Sequence, residues 1–163
     1  MAFVNQICPP PYTFDLVEDE EGGHSAVFLI GHDDARPVTY FVVATLTPYD
    51  EGCPEFSFEI VENDVETGGQ THHLSGKDTA GLFSPFDRQL ILFVVVHATV
   101  ALLRWKKPGK VHRCTNDRNP PKRAMLKHEL VSWAFRHAGY SVLQYDQWHG
   151  QVMWTAELNP TDG

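Results

Sequence analysis

The chain has 163 residues, with 21 Asp/Glu against 13 Lys/Arg and a formal net charge of −8. This length suits one domain with a real core, residues 1–163, and a 42% hydrophobic share excludes a disordered or low-complexity chain. The net charge speaks against a general DNA coater, yet it hides a division: residues 1–87 carry 16 acidic and 2 basic side chains, residues 88–163 carry 5 acidic and 11 basic.

In chain order, residues 1–11 have no basic flank and few apolar residues before three prolines, so no signal peptide is expected. Residues 12–17 alternate large apolar with smaller or polar side chains and predict a half-buried strand. Residues 26–30 and 38–46 are β-branched and aromatic runs flanking the turn-rich residues 33–37, a hairpin signal. Phe56, Phe58 and Ile60 alternate with Ser57, Glu59 and Val61, another strand with one wet face. Residues 48–54 read as a polar loop. Residues 63–81 form a second polar stretch, long enough to be either mobile or functional.

Ser84, Pro85 and Asp87 then open a helix, with serine as cap, proline at the first helical position and an acid in the first turn. It should run to about Trp105 and end at Lys106, Lys107 and Pro108. Its longest apolar run, residues 90–103, spans 14 positions and includes His97 and Thr99. A membrane span needs about 20, so a buried helix and no membrane are expected, with His97 as a hydrogen-bonded core histidine. Residues 111–115 predict a short strand, and Asn119-Pro120 repeats the cap-plus-proline signal for a second helix stopping at Gly139. On that helix Leu126, Leu130, Ala134 and Ala138 should be buried, widened by Val131 and Phe135. Residues 140–145 and 151–158 predict a closing hairpin through residues 147–150. The predicted order is β-β-β-β-α-β-α-β-β: an α+β fold with one mixed, largely antiparallel sheet and two main helices.

From Phe86 onward this order resembles the C-terminal part of the GCN5-related N-acetyltransferase (GNAT) fold. The resemblance rests on the long helix, Val111-His112-Arg113-Cys114-Thr115, the helix from Asn119 to Gly139-Tyr140, and a hairpin ending Val152-Met153-Trp154. It implies acetyl-CoA as cofactor, held by a glycine-rich loop before the long helix. That place here reads Gly76-Lys77-Asp78-Thr79-Ala80-Gly81, so Gly76, Lys77 and Gly81 are the candidate cofactor-binding residues. The spacing departs from the family's Arg/Gln-x-x-Gly-x-Gly/Ala turn, and the second helix carries no tyrosine for the family's usual acid.

Other chemistry is sparse, and no catalytic residue is assigned. No Gly-x-Ser-x-Gly or Walker loop is present. Three cysteines, an odd number without paired spacing, fit a cytoplasmic protein with reduced thiols. His72-His73 are neighbours that would point to opposite faces of a strand. His112-x-Cys114 puts two ligands on one face, but no second pair follows at zinc spacing, so no metal site is expected.

Between residues 104 and 127 lie nine cations and one acid, Asp117. Arg104, Lys106, Lys107, Lys110, Arg113, Lys122 and Arg123, with Trp148 in the last hairpin turn, are the candidate partner-binding residues. The plainer expectation is that these cations balance the acidic half. Taken together, the sequence favours a non-catalytic protein that binds a macromolecular partner or itself, as an accessory or inhibitor protein of phage or mobile-element type would. The alternative is an acyl-CoA-dependent N-acyltransferase. A third reading is nucleic-acid binding through residues 104–127.

Overall fold

Apolar residues at every second position give a strand one face to bury, and the long central strands follow that rule. The computed structural model describes residues 2–74 and 76–161. Its elements are β1 (Phe3–Asn5), β2 (Asp15–Glu18), β3 (His24–Asp33), β4 (Val38–Asp50), β5 (Cys53–Asp64), β6 (Gln70–His73), α1 (Pro85–Lys106), β7 (Lys110–Cys114), α2 (Lys122–His137), β8 (Tyr140–Trp148) and β9 (Gln151–Leu158). In β4, Val38, Tyr40, Val42, Ala44 and Leu46 are buried, while the residues between them are half-covered.

The strands form one mixed sheet in the order β1-β3-β4-β5-β7-β9-β8, with β2 also on β3 and β6 also on β5. Neighbours are antiparallel except β5 and β7. This is the predicted α+β class, with one mostly antiparallel sheet and two helices. Val94, Ala98 and Leu102 of α1 and Val131 and Phe135 of α2 share one core with Tyr40, Val42, Phe56, Val111 and Ala156. Both helices therefore lie on one face of the sheet.

α1 begins where expected: Ser84 Oγ accepts from the Asp87 N–H at 3.1 Å. It ends at Lys107, left-handed at φ 46°, whose N–H returns to the Leu103 carbonyl. At 22 residues it exceeds the apolar run that suggested it, and by length and composition it is apolar enough to cross a membrane; half of that window is buried.

Two strands escaped the sequence. β1 has only three residues, and β6, inside the polar stretch 63–81, has no apolar pattern. Side-chain hydrogen bonds tie β6 to β5 beside the backbone pairing: His72 Nδ1 with Glu59 at 2.9 Å and His73 Nε2 with Glu62 at 3.1 Å, one histidine on each face. The expected loop 48–54 is mostly strand, since Thr47 pairs with Glu55 and Asp50 with Cys53. The first predicted strand is displaced. β2 is exposed throughout, and Tyr12 and Phe14 precede it, packing on Phe28 at 5.4 and 5.6 Å.

Three helix expectations need correction. His97 is exposed, with its ring nitrogen on the Phe93 carbonyl at 2.8 Å, because it faces away from the sheet. Asn119 is not a cap: it sits at φ 48°, and α2 starts after Pro121 without a side-chain cap. The buried side of α2 is Val131, Ser132, Ala134 and Phe135, while Leu126 is 60% exposed and Leu130 is also in solvent. The helix turns this side inward because Arg113, beneath it, binds His128 and Ser132. The closing hairpin forms as predicted, with His149 at φ 50° and Gly150 at φ 81°, the pair of positive angles a two-residue turn needs.

Candidate functional site: the cleft between β5 and β7

α1 carries the chain from the end of the β5–β6 hairpin back to the start of β7, which makes β5 and β7 parallel. Their pairing is at Glu55–His112. Farther along, the same edge of β5 belongs to β6, from Ile60–His73 to Asn63–Gln70. Between those two pairings Phe58, Glu59 and Ile60, and beyond β7 Thr115, Asn116 and Asp117, border a cavity of about 130 Å³. Ile91 and Val95 of α1 form its apolar wall, and Arg88, Lys127 and His128 supply polar ones. Leu74 and residues 76–83 form a strap along the outer rim. It is tied to the far side by Asn116 Nδ2, which donates to the Leu74 carbonyl at 2.9 Å.

The lining sets the cations Arg88 and Lys127 against the carboxylates Glu59 and Asp117, and a further cation, Arg113, lies buried behind His128. Arg113 projects from β7 toward the helices and is 3% exposed. Its guanidinium lies 4.1 Å from the Trp154 ring centroid and 5.7 Å from that of Phe135. It donates to His128 Nδ1 and to the His128 carbonyl, both at 2.9 Å, and to Ser132 Oγ. Burial, then the Arg136 charge, pushes it down to about 9, so it stays charged at neutral pH among neutral acceptors. Because Nδ1 of His128 accepts, its ring proton sits on Nε2. That ring is stacked on Trp154, with centroids 4.9 Å apart. Burial, with Arg113 and Lys127 nearby, drives His128 down to about 3. It is therefore a neutral hydrogen-bond donor and not a base at pH 7. Burial also lowers Lys127, and so do the like charges of Arg88 and Arg123. Arg88 and Lys127 are the two lining cations that an anionic group could meet here.

Of the expected cofactor residues, Gly76 lines the cavity, and a Cβ there would come 2.9 Å from Lys127 Nζ. Lys77 and Gly81 are exposed, and Gly81 sits at φ 85°. Two N–H groups of the turn are spent internally, Ala80 on Lys77 at 3.2 Å and Leu82 on Thr79 at 3.0 Å. The N-terminus of α1 is likewise filled by Ser84 and Asp87.

The basic segment does not form one patch. Arg104, Lys106, Lys107 and Lys110 are exposed at the start of β7, while Lys122 and Arg123 lie beyond its other end. Arg113, counted among the partner-binding cations, is inside the core and withdrawn from that surface because strand alternation points it with Val111 and Thr115. Trp148 is 63% exposed beside the hairpin turn.

Lys127 belongs to the basic segment 104–127, but the sequence does not bring it together with Arg88 and His128 at one cavity. One signal was present: Arg88 is a cation in the first turn of an otherwise apolar helix, the end where the dipole disfavours positive charge. The other two needed the orientation of α2. Compared with known protein families, curated proteins and solved structures, the chain matches none.

Proposed function

We propose that the cleft takes the acyl end of a phosphate-bearing acyl donor of the acyl-coenzyme A class, and that the protein serves N-acyl transfer on a GNAT-like scaffold. The observation that carries this reading is the parting of the parallel strands β5 and β7 beyond Glu55–His112 around a cavity rimmed by Arg88 and Lys127. Ligands of open sheets bind outside the carboxyl ends of parallel strands, where the chain order switches direction. A cavity of about 130 Å³ has the volume of roughly four waters, which suits an acetyl thioester and leaves a nucleotide outside, along the cationic rim. In the transfer the acyl carbon leaves sulfur for an amine nitrogen, and the thiol departs with the amine's proton. His128 offers an N–H donor to that exchange, not a base. Calorimetric titration with acetyl-CoA tests the reading. Saturable binding that weakens about tenfold in Arg88→Ala or Lys127→Ala supports it; no heat at millimolar cofactor ends it.

A second reading has its own observation. Leu126, Leu130 and Trp133 recur at helical spacing on the outer side of α2, all exposed, with Trp133 at 53% and stacked on His137. Such a row suits a protein partner or a second copy of the chain. Light scattering of the wild type and Leu126→Glu decides it: a species larger than the monomer that the variant disperses supports self-association, and a monomer bound to nothing in pull-downs counts against the reading.

A further inference from the structure

Strand alternation sends His112 and Cys114 to the face of β7 opposite Arg113, the side of the sheet away from both helices. The register of the parallel pair sets Glu55 of β5 opposite His112. A carboxylate oxygen, an imidazole nitrogen and a thiol sulfur consequently meet, all within 4.8 Å of one another, and all three residues are half-buried. Tyr49 stacks flat on the His112 ring, with centroids 5.3 Å apart and planes at 15°, and so fixes its orientation. Met153, the Cα partner of Cys114 on β9, brings a thioether to the same face.

We propose that Glu55, His112 and Cys114 form a binding site for a divalent transition-metal ion of the zinc type. One oxygen, one nitrogen and one sulfur donor is a set that magnesium and calcium, which take oxygen ligands, do not favour. Around a tetrahedral ion with bonds of about 2.0–2.3 Å, ligand atoms stand roughly 3.3–3.8 Å apart. The three donor atoms, now within 4.8 Å of one another, have to draw about 1 Å closer to share one ion. Three protein ligands leave a fourth position for solvent or for an exogenous donor. The site lies on the other face of the same strand pair from the acyl cleft and does not depend on it.

Cobalt(II) is the probe. The chelator-treated full chain, titrated with cobalt chloride, should take one equivalent with thiolate-to-cobalt absorption in the near ultraviolet and tetrahedral bands in the visible, and zinc should displace them. Cys114→Ser should abolish the near-ultraviolet band, while Cys53→Ser and Cys8→Ser retain it. Glu55→Gln, an isosteric change at a half-buried strand position, should weaken cobalt binding by about tenfold or more, since even residues behind the ligands cost that much. The proposal is overturned if wild-type protein shows no thiolate band at millimolar cobalt, or if the band survives Cys114→Ser. If Cys114→Ser fails to fold by circular dichroism, Glu55→Gln decides: unchanged affinity overturns the site, and the loss sustains it.

Discussion

Glu55 and His112 are the Cα partners at which β5 and β7 meet in parallel, and the strands' edges diverge to different neighbours beyond them. On the helix side of this junction lies the cavity lined by Arg88 and Lys127, and on the other side the Glu55–His112–Cys114 cluster. One backbone pairing thus adjoins both the cavity and the cluster, and substitutions near it should sort by the face they touch.

Stability should fall in mild acid because of His128. Its folded value of about 3 lies below the ordinary 6.5, so the unfolded chain binds the proton more readily than the native one. Native stability is then full above about 6.5 and declines as pH drops toward 3, by up to roughly 2 kcal/mol at pH 5 from this group. Urea midpoints at pH 7 and pH 5 measure it. His128→Asn should flatten the difference; an equal decline in the variant would assign the acid sensitivity elsewhere.

Arg113→Lys should be far from conservative. The guanidinium serves His128 Nδ1, the His128 carbonyl and Ser132 Oγ at once while lying over Trp154. An ammonium cannot span those acceptors in one plane, and it is more costly to desolvate. A loss of about 2–3 kcal/mol is expected in urea unfolding, with weaker shielding of Trp154 from fluorescence quenchers. A loss below about 0.5 kcal/mol would mean that the network contributes nothing net.

What was legible in the chain follows from which signals are local. The caps and apolar run of α1, the alternation in β4 and the two-residue turn after Trp148 depend on neighbours in sequence, and each element lies where expected. β6 was illegible because Gln70-Thr71-His72-His73 becomes a strand only through pairing with β5. The orientation of α2 was illegible for a related reason. Leu126 and Leu130 look like core, but a buried arginine from β7 draws the His128–Ser132 side inward instead. Glu55 could not be joined to His112-x-Cys114 without the β5–β7 register, a contact across more than fifty residues of chain.

Gly31→Ala should loosen β1. A Cβ at Gly31 would lie 2.2 Å from the Val4 carbonyl oxygen and 2.5 Å from the Phe3 ring, at a bulge where the β3–β4 register shifts. Backbone cannot yield as a side-chain tip does, so β1 must move and Phe3 must leave Tyr40 and Phe83, now 5.6 and 4.7 Å away between centroids. The cost should be about 2–3 kcal/mol. Hydrogen exchange at the Gln6 amide, bonded to the Ile30 carbonyl at 2.9 Å, should accelerate. Unchanged protection there would show that β1 accommodates the methyl.

Asn116→Ala should open the strap over the cleft. The Asn116 side chain is the hydrogen-bonded tie from the segment after β7 to Leu74. Arg88 holds the strap from the other side through the Phe83 and Thr79 carbonyls at 3.3 and 3.5 Å, longer and weaker contacts. Loss of this one exposed neutral bond costs about 0.5 kcal/mol locally, the low end for such bonds, which raises the open fraction of the strap about twofold without unfolding the sheet. Amide exchange should therefore quicken at Ala80 and Leu82, whose N–H groups bond within the turn, and stay unchanged at Val94 and Ala98 in the buried part of α1. An acyl donor that enters beneath the strap should also leave the variant faster than the wild type. Equal exchange at Ala80 and Leu82 in both proteins would show that the Asn116–Leu74 bond holds nothing closed.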